Sequence, residues 1–162
     1  MAGARQAASE DFAGLEGARV LVVEARFYDG IADELLAGAL AVLQGAKTRV
    51  EILTVPGALE IPPTITIACY AAMQAGDPIE AVVALGCVIR GETTHYEIVS
   101  GESCRALMDI GVEHGLPIGN GILTVENEAQ AVARADPSHA DKGGDAARAA
   151  LTLLALKRWL GA

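Results

Sequence analysis

The stretch ALGCVIRGETTHYEIVSG, Ala84 to Gly101, passes from an unbroken apolar run into an amphipathic one across Arg90-Gly91-Glu92-Thr93-Thr94-His95. An apolar run of strand length, then a glycine, two hydroxyl residues and a helical periodicity, marks the junction of a buried strand with a helix. The absence of alternation places the strand in a parallel sheet covered on both faces. A helix start presents unpaired N–H groups and a partial positive charge, which suits phosphate or another anion. His95 adds a side chain that titrates near neutral pH and can move protons there.

Outward from this junction, Ile79 to Ile89 completes the strand. Before it, Arg49 to Val55 (RVEILTV) alternates and is rich in β-branched residues, and Pro56-Gly57 ends it. Pro62-Pro63 then opens a helix over Thr64 to Ala75, closed by Gly76-Asp77-Pro78. Nearer the N-terminus, Arg19 to Ala25 (RVLVVEA) reads as a strand and Phe27 to Gly30 as a loop with Asp29 a candidate helix cap. Ile31, Leu35, Leu36, Ala39, Leu40 and Leu43 keep helical spacing up to a stop at Gly45. On the C-terminal side, Tyr96 to His114 is a helix closed by Gly115 and Pro117, and Ile118 to Thr124 a strand with glycines at its start. Glu126 to Ala135 and Ala146 to Leu160 are two further helices, separated by a polar loop from Asp136 to Gly144.

The order β-α-β-α-β-α-β-α-α predicts an α/β protein, a three-layer αβα sandwich around a four-stranded parallel sheet with right-handed crossovers. Residues 1–18 read as an N-terminal tail and 19–162 as one domain. Ligands of such sheets bind beyond the carboxyl ends of the strands. Those ends are Arg26 to Asp29, Pro56 to Ile61, Cys87 to His95 and Thr124 to Asn127.

The balance of charges narrows the function. A net charge of −9 argues against nucleic acid or an anionic membrane as partner, and requires any phosphate site to be built locally. No apolar run reaches the roughly 18 residues that cross a bilayer. Met1 to Gly17 contains no hydrophobic signal segment, so a cytoplasmic location is expected. Cys69, Cys87 and Cys104 include no CxxC pair, and His95, His114 and His139 have no metal-ligand spacing; no metal is expected. Mean hydropathy of +0.35 is high for a small soluble chain and points to apolar surface buried between subunits.

Several residues at the strand ends have the types that chemistry needs. Arg90-Gly91-Glu92-Thr93-Thr94 at a helix start suits a phosphate, or else is a capped helix start with Thr93 or Thr94 as the cap. His95 is a proton shuttle or a surface histidine. Glu60, a carboxylate set between Pro56 and Pro62 among apolar neighbours, suits sugar hydroxyls or is a solvated residue in a rigid turn. Phe27 stacks on a flat ring or plugs the sheet end. Arg134 and Lys142 are cations in an acidic chain, fit to hold an anion or simply solvated.

Taken together, Arg26-Phe27, VPGALEIP (Val55 to Pro62), ALGCVIRGETTHYEIV (Ala84 to Val99), NGILTVENEAQAVARA (Asn120 to Ala135) and DKGGDAA (Asp141 to Ala147) follow in an order that resembles the 6,7-dimethyl-8-ribityllumazine synthase family. The resemblance spans Val20 to Leu160. It implies a flavodoxin-like topology completed by oligomerisation, and a cofactor-free transferase. The implied reaction condenses 5-amino-6-(D-ribitylamino)uracil with 3,4-dihydroxy-2-butanone 4-phosphate and releases phosphate and water, the penultimate step of riboflavin biosynthesis. By the same resemblance Phe27 stacks on the pyrimidine, and Ala58, Leu59 and Glu60 line the ring and ribityl region. Cys87, Val88 and Ile89 hold the pyrimidine through backbone groups, Gly91, Glu92, Thr93 and Arg134 take the phosphate, His95 shuttles protons and Lys142 lies near the ribityl chain.

The implied site lies between subunits of a homopentamer, alone or in a shell of pentamers. Phe27, Glu60 and His95 come from one chain, and Asn120, Arg134 and Lys142 from the next. Riboflavin synthase is an implied protein partner. The chain departs from the family pattern with Tyr28 for a common Asn, Leu59 for Phe, Cys87 for Thr, and Asn120 for an aromatic residue. A non-catalytic flavin-binding, shell-forming relative is the alternative, against which the presence of His95, Arg134, Glu60 and Lys142 argues.

Overall fold

Strands β1 (Arg19–Ala25), β2 (Arg49–Val55), β3 (Ala81–Ile89) and β4 (Ile118–Val125) form one parallel sheet, ordered β2-β1-β3-β4, in the computed structural model, which describes residues 11–162. Five helices connect and cover them: α1 (Asp29–Gly45), α2 (Ile61–Gln74), α3 (His95–His114), α4 (Glu128–Ala135) and α5 (Lys142–Leu160). A 3-10 turn, Ala58–Glu60, precedes α2. The expected αβα layering and sheet are thus present. Residues 1–10 of the expected tail lie outside the described residues, while Leu15 and Ala18, just before β1, are buried.

The period of two along the strands sorts the core into two halves. Val20 and Val22 of β1, with Val83 and Leu85 of β3, face α1, α4 and α5 through Leu35, Ala39, Ala131, Ala147 and Leu151. Leu21, Val23, Val82 and Ala84 face α2 and α3 through Ile61, Ile65 and Leu107. β3 is buried from Ala81 through Val88, as its unalternating sequence required. β2, the outer strand beside β1, is half to fully exposed throughout, in keeping with its alternation and its Arg49 and Glu51.

Element boundaries shift where side chains or close backbone contacts intervene. Asp29 lies inside the first turn of α1, and Tyr28 takes the cap position without a side-chain bond. The turn after α1 uses Lys47 at φ 54° in place of a glycine. α2 begins at Ile61, ahead of the expected Thr64, because Pro62 and Pro63 fit a first turn whose N–H groups need no partner. β3 begins at Ala81 instead of Ile79. α4 begins at Glu128, where Asn127 Oδ1 accepts from the Gln130 N–H at 3.0 Å and Gln130 Oε1 accepts from the Glu126 N–H at 2.9 Å. α5 starts at Lys142, four residues early, with Asp141 at φ 46° accepting from the Gly144 N–H at 3.1 Å.

The glycines of α5 and β4 mark where backbones meet. A Cβ at Gly143 would lie 1.9 Å from Leu35 O of α1, and one at Gly119 would lie 1.8 Å from Ala146 O of α5. These contacts seat α5 against both α1 and the sheet. At the carboxyl end of β1 the buried Glu24 carboxylate accepts from Arg26 Nη1 at 3.1 Å and from Thr54 Oγ1 at 2.9 Å. Arg26 also bonds Asp29 and Asp33, tying β1 to the first turns of α1.

Two substitutions test this seating. Gly143→Ala and Gly119→Ala should each lower stability by about 3 kcal/mol, the upper end for overpacking, because the atoms in the way are main-chain carbonyls that cannot rotate aside. Gly91→Ala, where nothing lies within 4 Å of the added Cβ, serves as control. Urea unfolding reads the difference; a Gly143→Ala protein as stable as wild type would refute the contact.

Candidate active site

The register sets the shape of the site. Ala25 of β1 is level with Val55 of β2, and Glu24 is level with Leu85 of β3. β3 therefore runs on beyond β1 through Cys87, Val88 and Ile89, by about 10 Å at 3.3 Å per residue. The step leaves a hollow of about 490 Å³ above the ends of β1 and β2, walled by the end of β3. Phe27 and Tyr28 enter it from the β1 end, Pro56 to Glu60 from the β2 end, and Gly91, Thr93, His95, Tyr96 and Val99 from the turn and first turns of α3.

Phe27 is 70% exposed and makes an edge-on contact with Tyr28, ring centroids 5.0 Å apart. It plugs nothing, so one face of the ring is left for a flat ligand. Ala58 is buried under the 3-10 turn, while Leu59 and Glu60 are exposed. The Glu60 carboxylate folds back toward Gly57, where an added Cβ would come within 3.0 Å of Oε2. Cys87 and Val88 are buried and Ile89 partly so. Burial pushes the Cys87 thiol up to about 11 and raises the Tyr28 phenol, so both stay neutral near pH 7.

At the start of α3, Gly91 to His95 are all exposed. Thr94 is the cap residue but gives no side-chain cap, and Thr93 Oγ1 accepts instead from the His95 N–H at 3.4 Å. The helix start thus keeps donors for a ligand. Glu92 sits in the turn but does not line the hollow. Arg90, which precedes the turn, donates from Nε to Glu126 at 2.8 Å and from Nη1 to Glu97, and lies over the Tyr96 ring at 4.1 Å from its centroid.

Three of the expected site residues lie elsewhere in the chain. Asn120 is level with Ala84, five residues before the end of β4, or about 16 Å back along the strand. It borders a separate apolar groove between α3 and α5. Its Oδ1 accepts from the Ile122 N–H at 3.0 Å, which blunts the β4 edge. Arg134, in the last turn of α4, is exposed and donates to Gln130 O at 3.0 Å. Lys142 is exposed on the first turn of α5 and pairs with Asp145 at 3.0 Å. Tyr28, Tyr96 and Val99 line the hollow without having been singled out for it. For Tyr96 and Val99 the available signal was their position one and four residues after His95, on the same helical turns. Among the described residues, no three His, Cys, Asp or Glu side chains gather closely enough to hold a metal ion.

Comparison with known proteins accounts for the combination of blocks. The profile of the 6,7-dimethyl-8-ribityllumazine synthase family matches residues 17–158. A protein of Xanthobacter autotrophicus named 6,7-dimethyl-8-ribityllumazine synthase is 63% identical over 150 residues, 93% of this chain and 91% of its own length. One of the same name from Nitrobacter hamburgensis is 59% identical over 160 residues, 99% of this chain and 98% of its own. A third, 6,7-dimethyl-8-ribityllumazine synthase 1 of Rhodopseudomonas palustris, is 58% identical over 160 residues, again 99% of this chain and 98% of its own. With the profile covering the whole sheet and relatives this similar from end to end, the chain belongs to the 6,7-dimethyl-8-ribityllumazine synthase family.

Proposed function

We propose that this chain condenses 5-amino-6-(D-ribitylamino)uracil with 3,4-dihydroxy-2-butanone 4-phosphate to 6,7-dimethyl-8-ribityllumazine, releasing phosphate and water in the penultimate step of riboflavin biosynthesis. The observation that carries the reading is the convergence of Arg26-Phe27, VPGALEIP and VIRGETTH on one hollow in a chain of this family. The exposed face of Phe27 receives the pyrimidine ring, with Cys87 to Ile89 meeting it through backbone groups. Ala58, Leu59 and Glu60 border the ring and the ribityl chain, and the Glu60 carboxylate accepts from ribityl hydroxyls.

The chemistry asks for proton transfer and for a place to leave charge. The uracil amine adds to the ketone, water leaves as the imine forms, and His95, at the mouth of the hollow, carries the protons. Phosphate is then eliminated toward Gly91, Glu92 and Thr93, where N–H groups at the start of α3 face its charge, together with Arg134. Ring closure and loss of a second water complete the product. The remaining acceleration comes from holding two reactants in register, worth about 7–11 kcal/mol in favourable cases, and calls for no cofactor.

Asn120, Arg134 and Lys142 reach the hollow from a neighbouring copy. Their separation from the hollow within one chain supports this, and so does the exposed apolar surface at Met108, Val112, Leu156 and Trp159. The assembly is a homopentamer, alone or within a shell, with residues 19–162 as its domain and riboflavin synthase as a protein partner. The proposed setting is the cytoplasm; among the described residues no helix is long and apolar enough to cross a membrane.

Mixing the protein with both substrates and following lumazine fluorescence tests the reaction; tight flavin binding without lumazine would instead favour the non-catalytic relative. His95→Ala should lower kcat by no more than about a hundredfold, the low end for a positioned acid–base group. Arg134→Ala should raise the KM of the phosphorylated substrate about tenfold or more, matching the roughly 1.5–3 kcal/mol of hydrogen bonds to charged groups; an unchanged KM would remove Arg134 from the phosphate site. Light scattering at low micromolar concentration should find a pentamer or a multiple of it, and an active monomer would refute the shared site.

A further inference from the structure

We infer that Arg90 is a positioning residue for the phosphate-binding turn, holding both ends of Gly91–Thr94 so that the start of α3 meets the phosphorylated substrate; the inference rests on the function proposed above. The turn is exposed along its length, Thr94 contributes no side-chain cap, and the bond from the His95 N–H to Thr93 Oγ1 is long at 3.4 Å, so its shape is set largely from its ends. Arg90 holds the first end through its backbone, whose N–H donates to Val125 O at 2.9 Å. Its side chain then reaches across the turn to α3, donating to Glu97 and placing Cζ over the Tyr96 ring, 4.1 Å from its centroid. The same guanidinium donates from Nε to Glu126 at 2.8 Å, in the connection between β4 and α4. One side chain therefore joins the end of β3, the first turn of α3 and the loop after β4.

Arg90 does not line the hollow, and its Nε and Nη1 are turned to Glu126 and Glu97, so it acts through the turn and not as a ligand. The pairing has an electrostatic side as well: the guanidinium holds the Glu97 carboxyl below its usual range and offsets two carboxylates near a site for an anion. All three charged groups are more than a third exposed, and exposed ion pairs add little to global stability. Loss of Arg90 should therefore act on the site and spare the fold. A lysine restores the charge but cannot bridge both carboxylates or stack as a plane.

The test is two-substrate kinetics on Arg90→Ala, Arg90→Lys and the triple variant Arg90→Ala/Glu97→Gln/Glu126→Gln, beside wild type. Arg90→Ala should raise the KM of the phosphorylated substrate about tenfold, within what a misplaced binding group costs, and leave the KM of the uracil substrate within about twofold. Its Tm should stay within about 3 °C of wild type. Arg90→Lys should be intermediate, and the triple variant should resemble Arg90→Ala. Equal changes in both KM values, no change in either, or a triple variant that returns to wild type would overturn the inference, the last because charge alone would then suffice. Amide hydrogen exchange gives a readout independent of activity. Exchange at residues 97–100, whose N–H groups close the first turn of α3, should quicken in Arg90→Ala while the second half of α3 is unaffected, and unchanged exchange at 97–100 would also overturn it. If wild type forms no lumazine, the proposed reaction fails, and the exchange result still decides whether Arg90 holds the turn.

Discussion

Burying β3 imposes most of what surrounds it. Its backbone must pair on both sides, which β1 and β4 provide, and its faces must be covered, which α1, α4 and α5 do on one side and α2 and α3 on the other. Parallel neighbours can be supplied only by crossover connections, so each strand delivers its carboxyl end to the same edge of the sheet. β3 outruns β1 there by about three residues, or about 10 Å, and that overhang is the wall of the hollow. The site is thus a consequence of register.

Close backbone packing also fixes how α5 sits. Gly143 lies against Leu35 O, Gly119 against Ala146 O, and Asp141 caps the helix from a left-handed backbone. Arg148 pairs with Asp141 at 3.0 Å and Lys142 with Asp145 at 3.0 Å. The DKGGDAA block is therefore in large part a packing device, in which two small residues admit α1 and the charged ones order the first turn. It leaves Lys142 exposed on the first turn of α5, paired with Asp145. Of the residues that depart from the expected family pattern, Tyr28, Leu59 and Cys87 line the hollow and Asn120 does not. Leu59 gives up stacking surface, while Tyr28 adds a second aromatic ring beside Phe27.

The acidic balance of the chain, −9, is handled locally. Arg26 and Arg90 follow β1 and β3 directly, and each is surrounded by carboxylates from neighbouring elements. Both join a strand end to the start of the next helix. Each guanidinium thus offsets carboxylates gathered beside a helix start, as Arg90 does for Glu97 and Glu126 beside α3.

The sequence by itself determined the element order, the parallel sheet and the strands β1 and β2 to the residue, because unalternating or alternating apolar runs between turn signals report burial directly. Three of the four strand ends it marked meet at the hollow, since residue type at a strand end is a local property, while Thr124 to Asn127 do not line it. Helix starts were less legible: α2 began three residues earlier than expected because its first turn takes in both prolines, and α5 four because the contact of Gly143 with α1 depends on distant backbone. That Asn120 lies about 16 Å back along β4, and Arg134 and Lys142 away from the hollow, was decided only by the tertiary structure. Register and helix direction are set by packing between elements far apart in sequence, so no local pattern records which side chains share one cavity.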